Sequence, residues 1–341
     1  MRAVGYGHGR ADDSPACLMD LQVPEPEPGP ADLLVQVEAV GVNPVDAKVR
    51  RRELPPMGEW RVLGWDCAGT VLATGAEVRG FAAGDRVWYA GALNRPGCNS
   101  ERHVVDHRLV GHRPPAWTPL QAAALPLTAI TAWELLFDRL RLQRGASAHA
   151  NQTLLVVGAA GGVGSILVQL AQRLTGLTVV GTASRPASRS WLRDFGVEHV
   201  IDHHQPLVAQ VASLDLPPVH AAISLTHTAE HFPSLVELLA PQGALALIDD
   251  PDPSTINVLA LKRKSLSLHW ELMFTRSLFQ TADMAEQGRI LQQVSELASA
   301  GSVRTTLQTC LGPIDAAHLQ RAHAVMEAGS GIGKLVLAGW G

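Results

Sequence analysis

The chain has 341 residues, 46% of them hydrophobic and 18% charged, with a formal net charge of -4. That length suits two domains that each bury a core, and the acidic balance, with no basic block, argues against nucleic acid or membrane as a partner. Arg2 and the polar stretch from Gly5 to Asp13 break any signal-peptide pattern, no segment is apolar for long enough to span a bilayer, and the four scattered cysteines (Cys17, Cys67, Cys98, Cys310) read as free thiols of a reducing cytoplasm.

Residues 1 to about 124 read as β-rich and irregular, with many glycines and prolines. Pro24-Glu-Pro-Glu-Pro-Gly-Pro30 is a stiff loop whose prolines forbid a central strand. Leu33 to Val42 alternates Val35, Val37 and Ala39 with Gln36 and Glu38, the period of a half-buried strand. Gly41 to Arg50 starts where that strand stops, a good place for an active-site loop. Its plainer reading is Asn43-Pro44 as a turn, Asp46 as a helix cap and Lys48 as a surface charge. Leu63 to Val71 and Gly84 to Tyr89 predict further short strands, and together the pattern suggests a small, partly open barrel.

The middle of the chain is organised around Leu154-Leu-Val-Val-Gly-Ala-Ala-Gly-Gly-Val-Gly-Ser165. A β-branched run enters a glycine-rich turn, and Val163, Ile166, Leu167, Leu170, Ala171 and Leu174 then mark one helix face. Strand, glycine turn and helix together hold a dinucleotide pyrophosphate, because amide hydrogens point at the anion and missing Cβ atoms let it approach. About twenty residues on, where a ribose-reading carboxylate would accept from the hydroxyls of NAD, stand Ser184, Arg185, Ser188 and Arg189. Hydroxyl and guanidinium groups suit the 2′-phosphate of NADP instead; the alternative is a solvated loop and helix start.

Strands are predicted at 154–159, 177–183, 198–202, 220–226, 244–250 and 265–270. Helices are predicted at 163–174, 187–195 and 228–240, with Pro241-Gln-Gly243 as a turn. This alternation is the pattern of a doubly wound parallel α/β sheet. Helical segments near 283–299 and 315–328 follow, and Lys334 to Leu337 forms a last strand that rejoins the first domain. The expected division is 1–124 with 276–341, and 125–275.

Asn43-Pro-Val-Asp46, Gly64-Trp-Asp-Cys-Ala-Gly69, Gly84-Asp-Arg-Val87, Leu125-Pro-Leu-Thr128 and Ala159-Ala-Gly-Gly-Val-Gly164 occur in order. With them the chain resembles the medium-chain dehydrogenase/reductase superfamily over nearly its full length, and within it the NADPH:quinone oxidoreductase branch. Ser224 to Thr228, His269 to Thr281 and Arg304-Thr-Thr306 resemble more narrowly the bacterial group labelled zinc-type alcohol dehydrogenase-like. The resemblance implies a Rossmann NADP-binding domain inserted in a GroES-like, partly open barrel that carries the catalytic groups.

Catalytic zinc needs Cys, His or acidic ligands on converging loops. The positions matching the family's ligands hold Asn43, Trp65 and the cysteine-free region 126–128, and Cys98 stands alone where a four-cysteine lobe would be. The expected enzyme therefore uses NADPH and no metal. The expected reaction passes hydride to a quinone or an α,β-unsaturated carbonyl, whose developing oxyanion needs only hydrogen-bond donors. Asn43 and Lys48 are the expected donors and Asp46 positions their loop. Gly161, Gly162, Val163, Ser184, Arg185, Leu225 and Thr128 hold the cofactor, and Trp65, Tyr89, Trp270 and Phe274 wall the substrate pocket. Family analogy implies a homodimer through the edge strand near Ser265 to Trp270. A zinc-type alcohol or aldehyde dehydrogenase and a non-catalytic NADPH-binding protein are the alternatives.

Overall fold

The computed structural model describes residues 1–8, 17–145 and 147–341; the end of the polar N-terminal stretch, through Asp13, lies outside the described residues. The chain divides into two compact units, Met1–Ile130 with Phe274–Gly341, and Thr131–Met273.

The first unit opens with β1 (Arg2–Tyr6), β2 (Met19–Gln22), β3 (Asp32–Gly41), α1 (Pro44–Arg52), β4 (Arg61–Val62) and β5 (Cys67–Thr74). It continues through β6 (Arg86–Tyr89), β7 (Arg102–Asp106), β8 (Val110–His112), α2 (Pro119–Ala123) and α3 (Pro126–Trp133). The second unit begins within α3, at Thr131, and a π-helical segment, Glu134–Arg139, follows. There follow β9 (Thr153–Val157), α4 (Gly162–Leu174), β10 (Thr178–Thr182), α5 (Pro186–Asp194), β11 (His199–Ile201), α6 (Leu207–Ala212), β12 (Val219–Ser224), α7 (Thr228–Leu238), β13 (Leu239–Leu247) and β14 (Ser267–Trp270). The chain then returns to the first unit with α8 (Thr275–Phe279), α9 (Glu286–Ser299), β15 (Leu307–Cys310), α10 (Ala316–Glu327) and β16 (Lys334–Ala338).

The second unit is a six-stranded sheet in the order β11-β10-β9-β12-β13-β14, with every neighbouring pair parallel. Its central strand, Thr153–Val157, is buried at every position, which explains an unbroken apolar run: helices cover both faces, so no face alternates with water. Leu155, Val157, Val180, Ala222, Phe232 and Leu245 lie in one core cluster.

The first unit holds a seven-stranded sheet ordered β15-β16-β3-β5-β6-β8, with β7 added on β3, and a three-stranded sheet β2-β1-β4. In β3, Val35, Val37 and Ala39 are buried while Gln36 and Glu38 keep partial exposure, the alternation expected from the sequence. The last strand pairs antiparallel with β3 through Val336–Gly41, Leu337–Val40 and Ala338–Ala39, so the C-terminal segment rejoins the first sheet.

Three expectations shift. Leu63 to Asp66 is not strand: Gly64 has φ +110°, and the Leu63 and Gly64 carbonyls instead accept the Asn99 and Cys98 amides, which ties two loops together. Gly41 to Arg50 is not a loop throughout, since Pro44 opens a helix, where proline's missing N–H costs nothing. The predicted turn 241–243 is absorbed into β13, whose register on β12 shifts between Leu239 and Ala244, with Gln242 at φ +64°.

Two histidines are stored neutral in this fold. His323 on α10 is fully buried, both ring nitrogens lack a hydrogen-bond partner among the described residues, and burial, with Arg50 nearby, pushes it down to about 3. Burial holds His103 down to about 4, although its ring bonds the Pro96 carbonyl at 2.9 Å. A histidine depressed in the fold binds more protons when unfolded, so its contribution is intact above about pH 6.5 and falls as pH drops toward the folded value. His323→Leu should therefore lose less stability than the parent between about pH 6.5 and 4.5, the difference reaching up to about 1.4 kcal/mol per pH unit. Urea unfolding at the two pH values measures it.

Candidate functional site

In the first unit the functional candidates converge on the start of α1. Asn43 is the residue before the helix, and its backbone N–H donates to Asp46 Oδ2 at 2.8 Å, which satisfies one end of the helix. Its amide Nδ2 donates to Asp66 Oδ2 at 2.8 Å, and its Oδ1 accepts from Lys334 Nζ at 2.5 Å. Lys334 also donates to Asp66 Oδ2 at 2.6 Å and to the Val42 carbonyl at 3.0 Å. Asp66 Oδ1 takes the Leu127 amide at 2.7 Å, at the start of α3. Lys334, Asp66, Asn43 and Asp46 are 3%, 0%, 1% and 1% exposed, so the cluster is buried.

The electrostatics follow from that burial. Desolvation pushes Asp46 up to about 7, against the Asn43 and Gly64 amides and Lys334, while Asp66 adds a further upward push. Asp66 is also raised by burial, with Lys334, the Leu127 amide and Asn43 opposing. The three protons of the Lys334 ammonium meet three acceptors, so the buried cation is fully satisfied.

This cluster engages Asn43 at both amide atoms. Lys48 lies half-buried one turn further along the same helix. Thr128 is buried and its hydroxyl donates to the Leu125 carbonyl at 2.9 Å. Trp65 and Phe274 meet edge to face, centroids 6.1 Å apart, with the indole N–H on the Ala92 carbonyl at 3.2 Å. Tyr89 is held in the core: its hydroxyl lies 3.0 Å from His103 Nδ1 and the two rings stack. Trp270 belongs to the other unit, 52% exposed at the end of the edge strand β14.

In the second unit the glycine turn is built for close approach. Gly158 has φ +78°, and a Cβ there would meet Thr226 Cγ2 at 2.9 Å. At Gly164 a Cβ would lie 2.4 Å from the Ala159 carbonyl oxygen, so only glycine lets α4 pack on the strand exit. Gly161 precedes α4, and Gly162 and Val163 form its first turn with partial exposure. Their amides have no carbonyl within the helix and face its N-terminal end. Leu225, just past β12, donates its amide to the Val157 carbonyl at 3.2 Å beside this turn.

Ser184 and Arg185 lie just beyond β10. Arg185 is exposed and its guanidinium makes no hydrogen bond or ion pair among the described residues. The two neighbours weighed with them are committed to the fold. Arg189 donates to the Ala183 and Val200 carbonyls at 3.1 and 2.9 Å, and Ser188 donates to the Arg185 carbonyl at 2.9 Å.

The positions matching zinc ligands do not fit that metal. Asn43 spends its amide inside the cluster, the Trp65 nitrogen carries a proton, and Asp66 is paired with Lys334. Among the described residues no group of three or more His, Cys, Asp or Glu is arranged to hold an ion. No helix there is long and apolar enough to cross a membrane.

Sequence reasoning missed Lys334. The one available signal was a lysine opening an otherwise apolar strand, Lys334-Leu-Val-Leu337, where a free charge would be costly.

The chain resembles known proteins along most of its length. Residues 29–117 match the alcohol dehydrogenase GroES-like domain, and residues 195–337 match the zinc-binding dehydrogenase domain. A zinc-type alcohol dehydrogenase-like protein of Staphylococcus aureus is 36% identical over 317 residues, 92% of each chain. A quinone oxidoreductase of Pseudomonas aeruginosa is 31% identical, over 91% of this chain and 92% of its own. The crystal structure of a Rhizobium etli protein carrying the name zinc-dependent alcohol dehydrogenase superposes with a TM-score of 0.93 at 49% identity, covering 100% of this chain and 98% of that one.

Two outcomes test the cluster. Lys334→Met strands Asp66 without its counter-charge and should cost about 3–5 kcal/mol in urea unfolding, with part recovered when Asp66→Asn is added. Asp46, raised to about 7, lends stability that is complete below about pH 4 and is lost as pH rises through its folded value. Asp46→Asn should remove that decline from a stability–pH curve.

Proposed function

The chain belongs to the medium-chain dehydrogenase/reductase superfamily and is an oxidoreductase of that family, and we propose that it uses NADPH to reduce quinones or α,β-unsaturated carbonyls without a catalytic metal. The observation that carries the cofactor half is the uncommitted Arg185 beside Ser184 just past β10, with no carboxylate there to read a ribose. The substrate half draws on the sequence resemblance and on Asn43 and Trp65, whose N–H groups donate to protein acceptors at positions where the family's zinc ligands would stand.

Bound NADPH supplies the hydride. The chain supplies the rest: Gly161, Gly162 and Val163 present backbone to the pyrophosphate, and Ser184 and Arg185 meet the 2′-phosphate. Leu225 completes the cofactor contacts of the second unit. Lys48 donates to the oxygen that gains charge, where conjugation spreads that charge and one or two donors suffice. Asp46 and Asn43, locked by Lys334, hold the helix that carries Lys48. Trp65 and Phe274 keep water from the substrate side. In this reading the first unit is the catalytic domain and the second the NADP-binding domain. The protein works in the cytoplasm, where Cys17, Cys67, Cys98 and Cys310 stay reduced, as a homodimer through the β14 edge with its exposed Trp270.

A charge-assisted hydrogen bond is worth roughly 1.5–3 kcal/mol, a tenfold to hundredfold preference. Arg185→Asp should lower the NADPH:NADH affinity ratio by at least that range, and an unchanged ratio removes the 2′-phosphate assignment. Lys48→Met should lower kcat for quinone or enone reduction while leaving the NADPH Kd in place. The zinc-type reading is favoured by the relatives' names; about one zinc per chain in protein purified without chelator would decide for it. Stoichiometric NADPH binding with no turnover across quinones, enones and enals would decide for a non-catalytic binder.

A further inference from the structure

Four imidazoles gather at the C-terminal edge of the parallel sheet. His203 and His204 follow β11, while His227 and His231 open α7. The rings of His203 and His204 are 4.5 Å apart, and those of His203 and His231 are 6.3 Å apart. His231 is 6% exposed, and His203 Nδ1 is buried with no hydrogen-bond partner among the described residues. His227 sits in the left-handed region at φ +52°, its ring nitrogen 2.7 Å from the Thr226 hydroxyl.

This patch flanks the proposed nucleotide residues on two sides. Thr182 pairs with Ile201 in the β10–β11 register, and the Ala183 amide donates to the Ile201 carbonyl at 2.9 Å. Ser184 and His203 therefore stand at matching positions, two residues past that last pair. On the other side His227 is two residues past Leu225. Ligands of open parallel sheets bind outside the carboxyl ends of the strands, which is this edge.

Two of the acidic neighbours are already committed. Asp202 accepts from the His204 amide at 2.9 Å, and Asp249 accepts the Thr228 amide at 3.0 Å and also its hydroxyl. Glu230, on α7, is the remaining carboxylate that acts on His231. Arg189, on the β10 side, is spent on two carbonyls. Burial first, then repulsion from the other imidazoles, keeps His203 below the usual histidine range, with Asp202 opposing. Burial likewise lowers His231, with His227 and His204 adding to it and Glu230 and Asp249 opposing.

We propose that His203, His204 and His227 complete the subsite for the adenosine 2′-phosphate begun by Ser184 and Arg185, and that this phosphate binds with uptake of a proton by the patch. The inference rests on the NADPH reading above. Imidazoles that repel one another when protonated become favourable as cations once a dianion lies among them. An anion that raises their affinity for protons must itself bind more tightly as pH falls.

The test is calorimetric binding of NADPH and NADH at about pH 6, 7 and 8, in buffers of different ionisation heat, with proton linkage read as the change in affinity per pH unit. The expected result is an NADPH:NADH affinity ratio that rises at least about threefold from pH 8 to 6, with more proton uptake for NADPH than for NADH. The triple variant His203→Gln/His204→Gln/His227→Gln should flatten that rise. The pair His204→Gln/His227→Gln, both exposed, should flatten it in part and guards against misfolding of the triple. Arg185→Asp should lower the ratio at every pH and keep the slope. A ratio independent of pH, or the same slope in parent and triple variant (titration of the phosphate alone), overturns the histidine assignment and leaves the NADPH reading standing. Binding of neither nucleotide overturns both.

Discussion

A single buried ammonium organises the first unit. Lys334 reaches Asp66, Asn43 and the Val42 carbonyl, and Asp66 in turn takes the Leu127 amide. Four separate stretches (the end of β3, the start of α1, the approach to β5 and the start of α3) thus share one charge. Burying a carboxylate and an ammonium together usually returns little net stability, because desolvation offsets most of the attraction. What such a pair does is forbid alternatives: any arrangement that separates Lys334 from Asp66 leaves a bare charge in a dry core. The start of α1 is therefore fixed by electrostatics as well as by its own capping.

The two units contrast in how their polar groups are used. In the first, the Asn43 amide, the Asp66 carboxylate and the Lys334 ammonium are bonded to one another. That self-sufficiency makes them a frame. In the second, the opening amides of α4, the Arg185 guanidinium and His203 Nδ1 lack such partners among the described residues. Unmet donors at the carboxyl edge of a parallel sheet are what an anionic ligand satisfies. Rigidity and ligand affinity are thus allotted to different stretches of chain.

Much of this was legible in the sequence, for physical reasons that differ by element. The inner strands of the parallel sheet announce themselves because a strand covered on both faces must be largely apolar, as Thr153–Val157 is. The glycine turn is legible because steric exclusion at Gly158 and Gly164 admits no other residue. Leu63 to Asp66 misled because burial, not strand pairing, demanded its apolar side chains: Leu63 and Trp65 are buried in a loop. The Lys334–Asp66 pair was invisible because its members are 268 positions apart and neither carries a local pattern. The histidine patch was hidden likewise, since His203 and His231 meet only after α6 folds back toward α7. Local rules read local causes, and these two contacts have none.

The position of Lys334 also bears on how the protein is made. During synthesis, at roughly 5–20 residues per second, a ribosome releases Asp66 long before its counter-ion. The second unit, Thr131–Met273, is a continuous stretch and can close its own sheet on emergence. The first unit must wait, because β16 fills its place between β15 and β3 only at the end of translation. The nascent chain therefore carries a finished inner module between two unfinished halves, and the β3 edge stays open to chaperones or to mispairing until the last strand arrives.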